Sequence, residues 1–155
     1  MTTLTELDTP AALIDVRQMQ VNIARMRAPL DDPSMSEFVS RIDEINALAE
    51  NDAGFVWRWK DPDNGPFNDP TLLFNLSVWI SVDALRAYAY RSDHAQLFRE
   101  RVKWFLPPNG PTLALWWIPA GHRPTPAESG ERVEHLAEHG PTPVAFSFKQ
   151  PFAPR

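Results

Sequence analysis

A chain of 155 residues, 43% apolar and 23% charged with a net charge of −5, suits one domain with a substantial core. Its 15 lysines and arginines are scattered, against a nucleic-acid surface; no apolar run approaches the ~20 residues of a membrane span, and the acidic start MTTLTELDTP lacks the apolar region of a secretory signal. With no cysteine there is no disulfide, thiolate nucleophile or cysteine metal site, and a cytoplasmic location is the default expectation.

Eleven of the 16 prolines gather in DPDNGPFNDP (61–70), LPPNGP (106–111), PAGHRPTP (119–126) and GPTP (140–143). Proline is excluded from helix interiors and central strand positions, so these stretches mark loops. Residues 1–18 carry no consistent period and read as an N-terminal extension, leaving a single domain over 19–155. MQVNIARM (19–26) alternates Met19, Val21 and Ile23 with Gln20, Asn22 and Ala24, the period of a half-buried strand. In DDPSMSEF, Ser34 and Glu37 match a capping box, with Asp31 and Asp32 near the positive helix end. Met35, Phe38, Val39, Ile42, Ile45 and Ala49 then follow at helical spacing, and Gly54 is the expected stop.

FVWRWK (55–60) and LLFNLSVWIS (72–81) read as two antiparallel strands around the proline-rich loop. Ser81 caps a second helix with Asp83 in its first turn; it carries Leu85 and Tyr88, with a kink expected near RSD before Leu97, Phe98, Val102 and Phe105. TLALWWIP (112–119) is a further strand, TPAESGERVEHLAEHG (125–140) a short charged helix, and VAFSF (144–148) a last strand. The order β-α-β-β-α-β with a C-terminal αβ addition is an α+β, ferredoxin-like plan. Its helices are expected on one sheet face, with a second copy of the chain covering the other as a dimeric α/β barrel. Small or polar residues at alternate strand positions, Asn22, Ala24, Asn75, Ser77 and Ala114, then point to a cavity between sheets, walled by Trp116.

The stretches VNIARMRAPLDDPSM, GFVWRW, NLSVWISVDALRAYAYRSDHAQLFRERVKWF and LALWWIPAGHRPTPAE together resemble a bacterial family known as a domain of unknown function. That family is itself similar to the antibiotic-biosynthesis-monooxygenase-like dimeric α/β barrels. The resemblance spans about Met19 to Phe152 and implies a ferredoxin-like protomer whose sheet packs on its twin's. It does not single out an activity, because that superfamily includes cofactor-free monooxygenases, haem-degrading enzymes, isomerases and lyases. The opening LDTPAALIDVRQMQVNIARM is similar to the start of pyridoxal-phosphate alanine-racemase-like barrels. The only lysines, Lys60, Lys103 and Lys149, are not in a Schiff-base setting, and the chain is too short for a (β/α)₈ barrel.

The candidate chemistry centres on His94. On a continuous helix Tyr90, His94, Leu97 and Arg101 share a stripe. His94 could shuttle protons, Tyr90 could hydrogen-bond a phenolic or carbonyl group, and Arg101 or Arg91 could hold an anionic oxygen. The competing reading is structural: Asp93 or Asp83 pairs with Arg91 or Arg86, and His94 hydrogen-bonds to backbone. The resemblance adds that haem-degrading members carry an axial histidine at this helix position. HLAEH (135–139) matches the H-x-x-E-H zinc pattern, but Glu131 is its nearest third ligand and the alternating charge reads as a solvated surface helix. Trp116 reads as a pocket wall or as core, and Arg58 as an anion contact or an edge solubiliser. His122 and Arg123 lie on a proline-framed loop, where Arg123 either closes over a dimer-related pocket or pairs with an acidic neighbour in a rigid connector.

These readings lead to a small-molecule enzyme or binder for an apolar or aromatic compound, monooxygenase- or isomerase-like, without bound cofactor or metal. The catalytic candidates are His94, Tyr90 and Asn75; Asn22, Arg58, Ser77, Arg91, Arg101 and Trp116 are the candidates for binding. The alternatives are a non-catalytic ligand-binding or structural homodimer, and a haem-binding protein with His94 as ligand. Expected partners are a small molecule and a second copy, with neither nucleic acid nor membrane.

Overall fold

A computed structural model of the protein describes residues 16–60, 69–90, 96, 99–108 and 110–154. Its elements run β1 (Val16–Arg25), α1 (Ser36–Glu50), β2 (Phe55–Arg58), β3 (Leu72–Trp79), α2 (Val82–Ala89), β4 (Leu113–Pro119) and α3 (Pro126–His139). All strand pairs are antiparallel and the sheet order is β2-β3-β1-β4, the ferredoxin-like arrangement. β1 starts at Val16, so its strand includes Gln18, upstream of the alternation read from Met19.

Because side chains alternate across a strand, the registers sort the sheet into two faces. Gln18, Gln20, Asn22 and Ala24 stand opposite Trp79, Ser77, Asn75 and Leu73 of β3, while Gln18, Gln20 and Asn22 meet Trp117, Leu115 and Leu113 of β4. Helices α1 and α2 lie on this face. Ala49, Leu85 and Tyr88 pack with Trp79 and Leu115, and Phe38 packs with Met26, Met35 and Trp104 beside Leu73. The opposite face carries Met19, Val21, Leu76, Val78, Ala114, Trp116 and Ile118, closed over by Leu136 and Val133 of α3.

That last contact corrects the expectation of helices on one face only. Gly121, at φ +90° in the left-handed region that glycine tolerates, turns the chain after β4. The thin apolar stripe of α3 is then laid on the sheet instead of facing water, with Leu136 only 7% exposed. Thr125 caps α3 by accepting the Glu128 N–H at 3.1 Å.

Three local expectations also change. Ser34 does not cap α1: its N–H and hydroxyl both donate to Asp32 Oδ1, at 2.9 and 2.7 Å. Asp32 caps a 3₁₀ turn over Pro33–Met35, where Pro33 favours the first helical position. The stop of α1 is Asn51, whose N–H and Nδ2 both donate to the Ala47 carbonyl. Finally, VAFSF is not a strand. It meets β4 through a single bridge, Leu115–Phe146, with both N–H···O bonds at 2.9 Å, because Pro141, Pro143 and Pro151 interrupt any longer ladder. Ser81 caps α2 as expected, accepting from Ala84 N–H at 3.0 Å. The expected kink near RSD lies outside the described residues.

At the start of β3, Asp69 accepts from Thr71 N–H at 2.9 Å, from the Thr71 hydroxyl at 2.7 Å and from Arg25 at 3.0 Å. The Thr71 bonds, then Arg25, hold its carboxyl down at about 2. A depressed carboxylate contributes stability above its unfolded value of roughly 4 and loses it as pH falls through the folded value. Thermal melts should therefore show wild type losing more stability than Asp69→Asn between about pH 4 and 2. Equal losses would remove Asp69 as a source of acid sensitivity.

Candidate functional site

Along the helix-covered face, β1 and β3 place polar side chains side by side in three register pairs: Asn22–Asn75, Gln20–Ser77 and Gln18–Trp79. Asn22 and Asn75 are exposed; Gln20 and Ser77 are 7% and 6% exposed, Gln18 and Trp79 0% and 1%. The pairs form a polar row running from the surface into the core. Buried amides and hydroxyls are costly unless bonded, and most of this row is bonded. Trp79 Nε1 donates to Ser77 Oγ at 2.9 Å, and Ser77 donates to Gln20 Oε1 at 2.7 Å. Gln18 Nε2 donates to the carbonyls of Met19 and Trp116, at 2.8 and 2.9 Å. Its Oε1 is buried without a partner.

Aromatic groups support the inner end. The Trp79 and Tyr88 rings lie 5.0 Å apart, Phe55 meets Trp79 edge-on at 5.5 Å, and the Tyr88 hydroxyl donates to the Ile45 carbonyl at 2.9 Å. Strand β3, helix α1 and helix α2 are thereby tied around the row, which fixes the position of Trp79. No carboxylate or cation belongs to the three pairs. They can orient and polarise a bound group by hydrogen bonding, not by full charge.

Of the sequence candidates, Asn22, Asn75 and Ser77 come together here. Arg58 is in register with Ser77 across β2 and β3, but its Nε donates to Glu50 Oε2 at 2.7 Å. Arg58 and then Lys60 keep the Glu50 carboxyl below the usual range. Trp116 and Ala114 do not share a face with Asn22, which corrects the expected cavity wall: Asn22 faces Leu113, and Val21 faces Ala114. Alternation sets parity within a strand; only the register sets it between strands. Trp116 is fully buried on the α3 side, donating to Glu128 Oε2 at 3.1 Å. Tyr90 is 68% exposed just past α2, its ring 6.3 Å from Phe148, and Arg101 is exposed in a 3₁₀ turn. His94 and Arg91 lie outside the described residues.

Gln18, Gln20 and Trp79 were not among the expected site residues. Their signal is legible in hindsight: amides at 18, 20 and 22 alternate with apolar residues, so one strand face is a run of three amides. On α3, His135 Nε2 sits 2.9 Å from Thr142 Oγ1 and its ring 4.5 Å from that of His139. Among the described residues no group of three or more metal-ligating side chains occurs. Two surface concavities lie elsewhere. One, of about 620 Å³, flanks α1 at Arg41, Leu48 and Asn51; the other, of about 290 Å³, lies between α2 and the C-terminal segment at Arg86, Trp117 and Phe152. Their arginines are engaged, Arg41 with Glu100 at 3.3 Å and Arg86 with the Phe148 carbonyl at 2.9 Å.

The antiparallel strand order, with α1 and α2 on one sheet face and α3 on the other, defines a ferredoxin-like α+β protein, and the candidate row lies on the face that α1 and α2 cover. The chain belongs to the family described as Domain of unknown function (DUF3291), which matches residues 18–155. No curated protein matches it significantly in sequence. Similar solved structures include PA3566 from Pseudomonas aeruginosa (11% identity, 70% of this chain and 98% of that one, TM-score 0.49). SO0527 from Shewanella oneidensis is another (6% identity, 68% and 91%, TM-score 0.49). A third is SnoaB, a cofactor-independent oxygenase from Streptomyces nogalater (16% identity, 70% and 95%, TM-score 0.43). Among the described residues no helix is long and apolar enough to cross a membrane.

Proposed function

We propose that the protein binds, and as an enzyme transforms, an apolar or aromatic small molecule at the polar row, entering at Asn22 and Asn75. The observation that carries this reading is Gln18 Oε1, a buried acceptor without a partner at the inner end of a row that begins at the surface. An unpaired buried amide costs stability, and each such group in a native chain calls for an explanation, a bound ligand among them. The chemistry drawn on is hydrogen-bond polarisation of the ligand with no bound cofactor, His94 serving as the acid–base candidate.

The test is binding and turnover of aromatic ketones and quinols by wild type, Asn75→Ala, Ser77→Ala and His94→Ala. Affinity should fall about tenfold in the Asn75 and Ser77 variants, the worth of one lost hydrogen bond, and turnover should fall with His94→Ala. Unchanged affinity in both row variants would end the reading.

A second reading, a ligand-binding or structural homodimer, draws on the open part of the α3-side face. Ile23, Trp57, Trp59 and Phe74 pack there while remaining partly exposed, and Trp59 Nε1 is buried without a partner. Sedimentation should give a dimer that Phe74→Asp converts to monomer; a wild-type monomer removes the pairing and leaves the row untouched. Haem held by His94 is the third reading: a Soret band on haem titration that is lost in His94→Ala supports it, and no spectral change ends it.

A further inference from the structure

The direction of each hydrogen bond in the row follows from which groups can only donate or only accept. An indole N–H can only donate, so Ser77 Oγ accepts from Trp79. Ser77 has one proton to pass on and passes it to Gln20 at 2.7 Å. The receiving atom is the amide oxygen of Gln20, Oε1. Its Nε2 is left with no hydrogen-bond partner among the described residues. The relay also polarises that amide, since a chain of aligned hydrogen bonds strengthens the donor at its end.

Gln18 is fixed the opposite way round. Its Nε2 donates to two backbone carbonyls, which can only accept, so the unpartnered end is the oxygen. From the mouth inward the row therefore offers a donor at Gln20 and then an acceptor at Gln18, two residues apart on one strand face, their backbones about 7 Å apart.

Resting on the reading of the row as a ligand site, we infer that its ligand is a compact neutral carbonyl compound that also carries a hydroxyl on its inward end. Gln20 Nε2 donates to the carbonyl oxygen, and the hydroxyl donates inward to Gln18 Oε1. A hydrocarbon of the same shape leaves Gln20 Nε2 and Gln18 Oε1 unpaired. An ammonium ion meets Gln20's N–H groups and finds no carboxylate in the row to offset its burial.

A fused-ring probe series tests this in solution: tetralin, tetralone, a hydroxytetralone with its hydroxyl on the aromatic ring away from the carbonyl, and aminotetralin. Affinity should rise about tenfold from tetralin to tetralone and again to the hydroxytetralone, one hydrogen bond at each step, with aminotetralin weakest. Gln20→Glu should erase the tetralone-over-tetralin gap by replacing the donor with an acceptor. Gln18→Leu should erase only the second gap. The wild-type series stands even where a variant fails to fold. If the ketones bind no better than tetralin, or Gln20→Glu leaves the gap intact, the donor–acceptor order is wrong while the row remains a ligand site. If none of the four binds, the ligand-site reading itself falls, and this inference with it.

Discussion

Phe146→Ala lowers the free energy of unfolding by about 3–5 kcal/mol, the range for a fully buried phenylalanine. The side chain is 0% exposed and belongs to the cluster of Trp79, Leu85, Tyr88 and Leu115. Its ring lies 5.8 Å from that of Phe152, whose carbonyl accepts from Trp117 Nε1 at 2.7 Å. Its backbone makes the one two-way bridge to Leu115 on β4. Truncation opens a cavity at the junction of sheet, helices and C-terminal segment, and loosens the cover on β4, which is the end strand of the sheet order. Urea unfolding measures the loss. A cost under about 1 kcal/mol, the scale of an ordinary substitution, would mean the C-terminal segment does not pack as described.

Gly54→Ala costs about 1–3 kcal/mol by overpacking. A Cβ at Gly54 would stand 2.5 Å from Ala84 Cβ, and that atom cannot swing away, being fixed to the backbone of α2. Gly54 also bonds both neighbours: its N–H donates to Asp52 Oδ1 at 2.8 Å, and its carbonyl accepts from Ile80 N–H at 2.9 Å. The turn between α1 and β2 can therefore approach α2 only where no side chain intervenes. Adding Ala84→Gly should recover part of the loss although glycine itself weakens a helix by about 1 kcal/mol, because the two sites share one contact. Strict additivity of the two variants would contradict the close approach.

Much of the fold was legible in the sequence, since it rests on local periodicity. The alternation around Val21 and Leu76, the helical spacing from Phe38 to Ala49, and the Ser81 cap each correspond to an observed element. What was not legible depends on how elements meet. Nothing in LALWWIP reveals whether Trp116 or Trp117 lies beside Asn22; that is decided by the β1–β4 register. Nor does the charge of α3 reveal that Leu136 and Val133 find a sheet face to cover. In the candidate site, Asn22, Asn75 and Ser77 were visible as polar residues in apolar strands. Gln18 was hidden in what read as an N-terminal extension, and Trp79 read as one aromatic among many. Their roles come from a neighbour across the sheet, which no single-strand pattern encodes.

On the proposed reading, the row from Asn22 to Gln18 receives the ligand on the helix-covered face. Titrating ¹⁵N-labelled protein with tetralone, while following side-chain amide and indole signals, tests it most directly. The account predicts shifts at Gln20 Nε2, Trp79 Nε1 and the amides of Asn22 and Asn75, with Trp57, Trp59 and Trp116 unmoved. Shifts confined to those three tryptophans, or saturation without any change at Gln20 and Trp79, would contradict it.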